Sequence, residues 1–307
     1  MIYLKENKIN KFGNNKIYLK DKVIYQAVKT GSIEPVGNAI LAKITVDSSN
    51  LEQQITSRQD YFNSILLNNE TEILTGSTVT LEHTFSSPGT YNIKYIPKDE
   101  LTTCYYMFRG CEGINEFNLD NFNSSKITSM EYMFAACGYS SISLKNLDTS
   151  NVTNMKYMFA SNEIIETLDI NNFNTSNVTD MSYMFNYMTK LSDIKCNNLD
   201  TSSVTNISFI FQYDGKLSVL DLSGWNTSNV TNIQYAFDSC SSLTDLYVDN
   251  FDMSKVTEFN GVFQSCNKLN HIRCKQAFQD WCITNQTAIR LPAALREGGD
   301  GTWEIVE

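Results

Sequence analysis

The stretch TSNVTNMKYMFASN, residues 149–162, returns along the chain as TSNVTDMSYMF at 175–185, TSSVTNISFIF at 201–211 and TSNVTNIQYAF at 227–237. A Met-Phe pair fixes the period, at 107–108, 133–134, 158–159 and 184–185, continued as Ile210-Phe211, Ala236-Phe237 and Val262-Phe263. Successive pairs stand 26, 25, 26, 26, 26 and 26 residues apart. Self-similarity at such a period signals a solenoid, in which each unit touches only its neighbours. The energetics require the stacking. Burying about six apolar side chains contributes on the order of 10–15 kcal/mol, whereas ordering the unit costs about 1–2 kcal/mol for every residue. A lone unit stays unfolded, and only an array that shares strand hydrogen bonds is stable.

Each unit also carries a pattern such as Leu217-x-x-Leu220-x-Leu222, Leu243-x-x-Leu246-x-Val248, Leu191-x-x-Ile194-x-Cys196 or Ile165-x-x-Leu168-x-Ile170. The alternation at its end predicts a short strand with one face buried. Val152, Met155, Met158 and Phe159 fall at i, i+3, i+6 and i+7, the spacing of one face of a short helix. Thr153, Thr179, Thr205, Thr231 and Thr257 then stand at N-cap positions, and Thr128 with Glu131 matches a capping box. The expected fold class is therefore an α/β leucine-rich-repeat-like solenoid of seven coils of about 26 residues, each with a short strand and a short helix. Asn121, Asn146, Asn172, Asn198 and Asn250, with the Ser and Thr of the turns, are expected to form ladders that satisfy backbone groups between coils. The same role accounts for the sequon-like triplets at Asn151, Asn177, Asn206 and Asn229.

Composition narrows the function classes. The chain of 307 residues has 24 Lys+Arg against 34 Asp+Glu, a formal charge of −10, and no basic run. That argues against nucleic acid, which needs clustered basic side chains. No apolar stretch reaches the length of a membrane span. Of the eight cysteines, Cys111, Cys137, Cys240 and Cys266 stand three residues after the Phe of the pair, a phase held elsewhere by Asn162, Met188 and Asp214. The phase takes a modest side chain rather than a thiol in particular, and no CxxC pair supports zinc. The cysteines are expected to be small buried hydrophobes in a reducing compartment. The start, MIYLKENKINKFGNNKIYLKDK, lacks the apolar region of a secretory signal, and the expectation is a protein used without crossing a membrane.

All four prolines lie outside the repeats and mark their boundaries. Ile40, Ala42, Ile44 and Val46, then Val79, Leu81, His83 and Phe85, then Tyr91, Ile93 and Tyr95, alternate with polar neighbours as half-buried strands do. Residues 35–97 are expected to form a small β-sandwich, with His83 packed in its core. Residues 1–34, with a hairpin around Leu19–Val23, suit a docking segment, and 275–307 a C-terminal cap with a helix over AFQDWCITNQTAI and a last strand in TWEIVE. The repeats then occupy 98–274.

TSNVTNMKYMF followed by an LxxLDL strand resembles the BspA-like leucine-rich repeat family of bacterial and phage surface proteins, over about residues 101–274. HTFSSPGTYNIKYIP resembles the closing strands of PKD or other immunoglobulin-like modules. The first resemblance implies a non-catalytic adhesion or interaction protein. The later pairs depart from it by losing Met, and the lack of an export signal favours a bacteriophage virion component, a fibre or decoration protein assembled in the host cytoplasm. The alternative is a secreted adhesin on the bacterial cell surface.

No Gly-x-Ser-x-Gly elbow, phosphate-binding glycine loop or His-Glu-x-x-His helix is present. Asp169 and Asp221 share a strand phase two coils apart, about 10 Å at the usual strand spacing, which is too wide for a retaining glycosidase pair. No enzyme and no cofactor is expected. A partner would meet the outward column of the strands: Asp169, Lys195, Asp221, Tyr247 and Arg273, flanked by His271 and Lys275. Tyr247 beside His271, Arg273 and Lys275 sets an aromatic in a small basic patch, suited to a host-cell protein or glycan. Residues 1–34 would bind other virion proteins, and a homo-oligomer, trimeric by analogy with phage fibres, is part of this expectation.

Overall fold

A computed structural model describes residues 12–13, 16–19, 22–26, 37–68, 71–73 and 80–307. Strands β1 (Phe12–Gly13), β2 (Lys16–Leu19) and β3 (Lys22–Gln26) form an antiparallel sheet with Leu19 opposite Lys22, where the hairpin is expected. The rest of the 1–34 docking segment, and Val79, lie outside the described residues. Next come β4 (Ala39–Val46), β5 (Glu52–Thr56), β6 (Phe62–Leu67), β7 (Thr71–Glu72), β8 (Leu81–Thr84) and β9 (Gly89–Pro97). The expected alternation holds best in β4, where Ile40, Ala42, Ile44 and Val46 are buried; Leu81, Phe85, Ile93 and Tyr95 are buried too, but Tyr91 is half-buried and Lys94 is buried between Ile93 and Tyr95. His83 is half-buried, its ring edge-on to Phe85 at 4.7 Å, and burial lowers its pKa.

This module does not close on itself. Its sheet runs β11-β10-β4-β9-β6-β7, where β10 (Ile114–Asn121) and β11 (Ser141–Ser143) belong to the repeats. β4 pairs antiparallel with β10, placing Ala42 opposite Phe117, and Lys43 Nζ meets Glu116 at 2.6 Å. From β5, Thr56 Oγ1 donates to the Met107 carbonyl at 2.6 Å, and Tyr95 packs edge-on to Phe108 at 5.0 Å. Among the described residues one hydrophobic core runs from Ile40 to Leu295. The architecture changes near residue 97 while the core continues, so the module covers the first coil's apolar end, as a terminal repeat requires.

Further along, β12 (Thr167–Asp169) pairs parallel with β13 (Asp193–Lys195), and β14 (Val219–Asp221), β15 (Asp245–Val248) and β16 (His271–Cys274) form a parallel set. The Phe rings of the repeated pair stack in file, 108 on 134, 159, 185, 211, 237 and 263, at centroid separations from 5.1 to 6.2 Å and interplanar angles of 16° or less. The six stacking steps trace about six turns of solenoid.

The expected seven-coil α/β fold is wrong: the molecule is a mostly β solenoid without a helix in each coil. Val152, Met155, Met158 and Phe159 are all fully buried, as their spacing demands. The backbone carrying them alternates its hydrogen bonds. Met158 N and Ala160 N bond locally to Met155 O and Tyr157 O, three residues back. Met155, Tyr157, Phe159 and Ser161 instead donate to Asp180, Ser182, Met184 and Asn186 of the next coil at 2.7–3.1 Å. An α-helix would keep every such bond within the coil. Tandem tight turns also bring one face round every three residues, which is why the apolar spacing imitates a helix. Tyr157 and Ser161, at φ of 56° and 60°, are left-handed and exclude one.

The threonines are likewise not N-caps. Thr153, Thr179, Thr205 and Thr231 Oγ1 each donate to the carbonyl of the equivalent Thr one coil back, at 3.1–3.2 Å. Glu131, assigned to a capping box, accepts from Asn154 Nδ2 at 3.0 Å. Asn ladders form in part: Asn146, Asn172 and Asn250 donate to Asp120, Leu144 and Ser223 carbonyls, and Asn151, Asn177 and Asn229 to Ser125, Ser150 and Ser202 carbonyls, whereas Asn121 and Asn198 make no such bond among the described residues and Asn206 Oδ1 accepts locally from Ser208 N.

Met188 fills this phase without a donor, whereas four other side chains in it also hydrogen-bond backbone carbonyls. Cys137, Cys240 and Cys266 Sγ donate to the carbonyls of Phe108, Phe211 and Phe237, at 3.0, 3.0 and 2.8 Å. Asn162 does the same from Nδ2 to Phe134 O at 2.9 Å and Phe159 O at 2.7 Å, while its Oδ1 accepts from Cys137 N. Asp214 copies half of this: Oδ1 accepts from Met188 N at 2.7 Å, and Oδ2, buried, finds no donor. Burial pushes the Asp214 carboxyl well above the usual carboxylate range.

After β16, α1 (Gln276–Thr284) is the only α-helix among the described residues, shorter than the sequence pattern suggests. The tail then imitates another coil. Ala288 and Ile289 carbonyls accept from Gly261 and Phe263, and β17 (Thr302–Ile305) adds a parallel strand beside β16.

Candidate interaction surface

The strand register sets the outward column as expected within each sheet and interrupts it between them. Asp169 stands opposite Lys195, with Nζ–Oδ2 at 3.8 Å and both side chains 60% exposed. Separately, β14 to β17 align Asp221, Tyr247, Arg273 and Glu304. The Arg273 guanidinium lies 4.4 Å over the Tyr247 ring, and His271 meets that ring edge-on at 5.9 Å. Lys275 instead leads into α1, beside a groove lined by Phe251, Phe278 and Trp281.

The charge of this patch differs from the sequence expectation. Arg273 Nε bonds Asp249 at 2.9 Å, and that bond, aided by Glu304 and Asp221, raises its pKa. His271 lies between Asp245 Oδ1 at 2.8 Å and Glu304 Oε2 at 3.3 Å. Asp245 is held below the usual range, first by the Thr244 hydroxyl and also by His271. Arg273 and His271 are thus ringed by four carboxylates, Asp221, Asp245, Asp249 and Glu304. This face is an ion network around one tyrosine with carboxylates in excess rather than a basic patch.

A second edge, formed by the turns, escaped the sequence reading. Tyr106, Tyr132, Tyr157, Tyr183, Phe209 and Tyr235 each precede the repeated pair and each adopt φ between 54° and 60°. Their rings form a half-buried ladder, nearly parallel at 4.2–4.4 Å from Tyr132 to Phe209. Burial, with the neighbouring Tyr183 and Tyr132 phenols, pushes the Tyr157 phenol up. The ladder ends where Gly261 replaces the aromatic: a Cβ there would lie 2.4 Å from the Tyr235 ring.

Two residues after the pair runs another left-handed column: Gly110, Ala136, Ser161, Tyr187, Tyr213, Ser239 and Ser265, with φ from 54° to 77°. Small residues suit that conformation, and two coils break the pattern. Tyr187 and Tyr213 are 42% and 46% exposed, with rings 5.4 Å apart at 65°. The signal was present in the sequence as the two large residues in an otherwise small column.

The family described as "Mycoplasma protein of unknown function, DUF285" matches residues 102–218 and 188–290. These overlapping spans cover well over half of the chain, and the protein belongs to that family. No curated protein matches the sequence.

Proposed function

We propose that this is a non-catalytic attachment protein in which the solenoid is the frame and its outward residues are what a partner reads. One observation carries the proposal. Buried and ladder positions repeat from coil to coil, whereas the column Asp169, Lys195, Asp221, Tyr247, Arg273 changes charge and size at every step. Uniform solvation asks only for polarity, and Tyr247 under a pinned guanidinium exceeds that need. The partner is a host-cell surface protein or glycan. In a phage virion the chain would be a fibre or decoration anchored through residues 1–34, with 35–97 as a PKD- or immunoglobulin-like module. The family description names Mycoplasma, and this favours the second setting, an adhesin on a bacterial surface.

Changing Tyr247→Ala together with Arg273→Ala should reduce attachment to cells severalfold while leaving the urea midpoint nearly unchanged. Normal attachment by that variant would show the strand face to be merely solvated. Deleting residues 1–34 should abolish incorporation into particles if the setting is a virion. Shaving intact bacteria with protease should remove the chain if the setting is a cell surface.

A further inference from the structure

We propose that Tyr187 and Tyr213, with Lys190 and Lys216, form a site for a carboxylated glycan on the turn edge of the solenoid. The inference rests on the attachment reading and places a second contact on a different face. It begins from a cost without a structural return. A non-glycine residue at φ of 63° or 68° occupies a sparsely allowed region. The same column holds Gly, Ala or Ser in the other coils, so neither packing nor backbone asks for a ring there. The aromatic ladder offsets its left-handed tyrosines by stacking them nearly parallel and half-buried. Tyr187 and Tyr213 stand 65° apart and remain over two-fifths exposed.

Their setting selects the ligand. Ser161 and Ser239 flank the pair on the neighbouring coils, so the two rings project between low shoulders. Three residues after each tyrosine, Lys190 and Lys216 are exposed, on coils about 4.8 Å apart. Asp238, whose carbonyl accepts from Tyr213 N, is buried and engaged by Gln212 Nε2 at 2.8 Å and Ser239 Oγ at 2.9 Å. Glu163 and Glu166 are exposed on the preceding coil, whereas on the two coils that carry the rings the exposed charges within three residues after each tyrosine are the lysines alone. An aromatic face is negative and its edge positive, so the hydrogen-bearing face of a sugar ring stacks on it, and the phenols hydrogen-bond its hydroxyls. Two rings and two ammonium groups fall far short of the roughly 800 Å² per partner of a specific protein interface. A sugar needs no more than this. The ammonium groups favour one that carries carboxylates.

The test presents the full chain with sialylated and uronic-acid oligosaccharides and their neutral counterparts. The wild type should prefer the carboxylated members, and added salt should weaken the preference. Tyr187→Ser with Tyr213→Ser should lose at least tenfold in affinity at an unchanged urea midpoint, because serine already occupies this position in adjacent coils. Lys190→Gln with Lys216→Gln should abolish the preference for carboxylated over neutral sugars. Failure of the wild type to bind any carboxylated sugar overturns the proposal, as does equal binding by the double-serine variant or a preference for neutral sugars. If cell attachment falls with the Tyr247→Ala, Arg273→Ala pair and not with the double-serine variant, this site is wrong and the strand-face reading survives. If neither variant affects attachment, both fail.

Discussion

Tyr183 and Tyr187 lie four residues apart on one coil, share the left-handed conformation and have opposite surroundings. Tyr183 stacks between Tyr157 at 4.2 Å and Phe209 at 4.4 Å. Among the described residues Tyr187 has one ring contact, with Tyr213 at an angle, and it is 42% exposed. The same side chain on the same backbone is part of the frame in one column and part of the face in the other. What separates them is whether the neighbouring coils supply a ring to stack upon.

The ladder should be the more sensitive column. Tyr157→Ala removes a ring stacked on both sides and should cost about 2–3 kcal/mol, read as a lower urea midpoint. A cost under about 0.5 kcal/mol would put Tyr157 with the face. Gly261→Ala tests the ladder's end: with φ of 65° and the Tyr235 ring in the way, it should cost about 1–2 kcal/mol. Asp214→Asn tests the frame from within and should stabilise. The folded carboxyl binds its proton more tightly than the unfolded one, so the wild type loses stability as pH rises above about 4. The variant has no such loss. Its advantage should therefore grow with pH, and urea midpoints between about pH 4.5 and 8 measure it. An advantage independent of pH would contradict the raised pKa of the Asp214 carboxyl. Thr231→Val removes one exposed ladder bond and should cost about 0.5–1 kcal/mol without altering attachment.

Much of this architecture was legible in the residues. The period gave the stacked coils, the alternation at Leu220 and Leu246 gave the strands, and the phase of Asp221, Tyr247 and Arg273 gave their alignment across β14, β15 and β16. The helix was misjudged because three-residue turns and a helix place apolar side chains at nearly the same intervals. The tyrosine before each Met-Phe pair marked the difference: a recurring aromatic outside the apolar face has no role in a short amphipathic helix, but it can stack between coils. The charge of the strand face was hidden for another reason. Asp249 and Glu304 reach Arg273 and His271 from a neighbouring coil and from the tail, and only the folded register shows that each of the two has a carboxylate beside it.

The matched variants Tyr183→Ser and Tyr187→Ser, each assayed for urea midpoint and for retention on immobilised carboxylated oligosaccharide, test the division of frame from face most directly. Tyr183→Ser should lower the midpoint by the equivalent of about 2–3 kcal/mol, while the molecules that remain folded bind normally. Tyr187→Ser should leave the midpoint within about 0.5 kcal/mol of the wild type and weaken retention. Equal effects on both readouts, or the reverse assignment, would contradict the account.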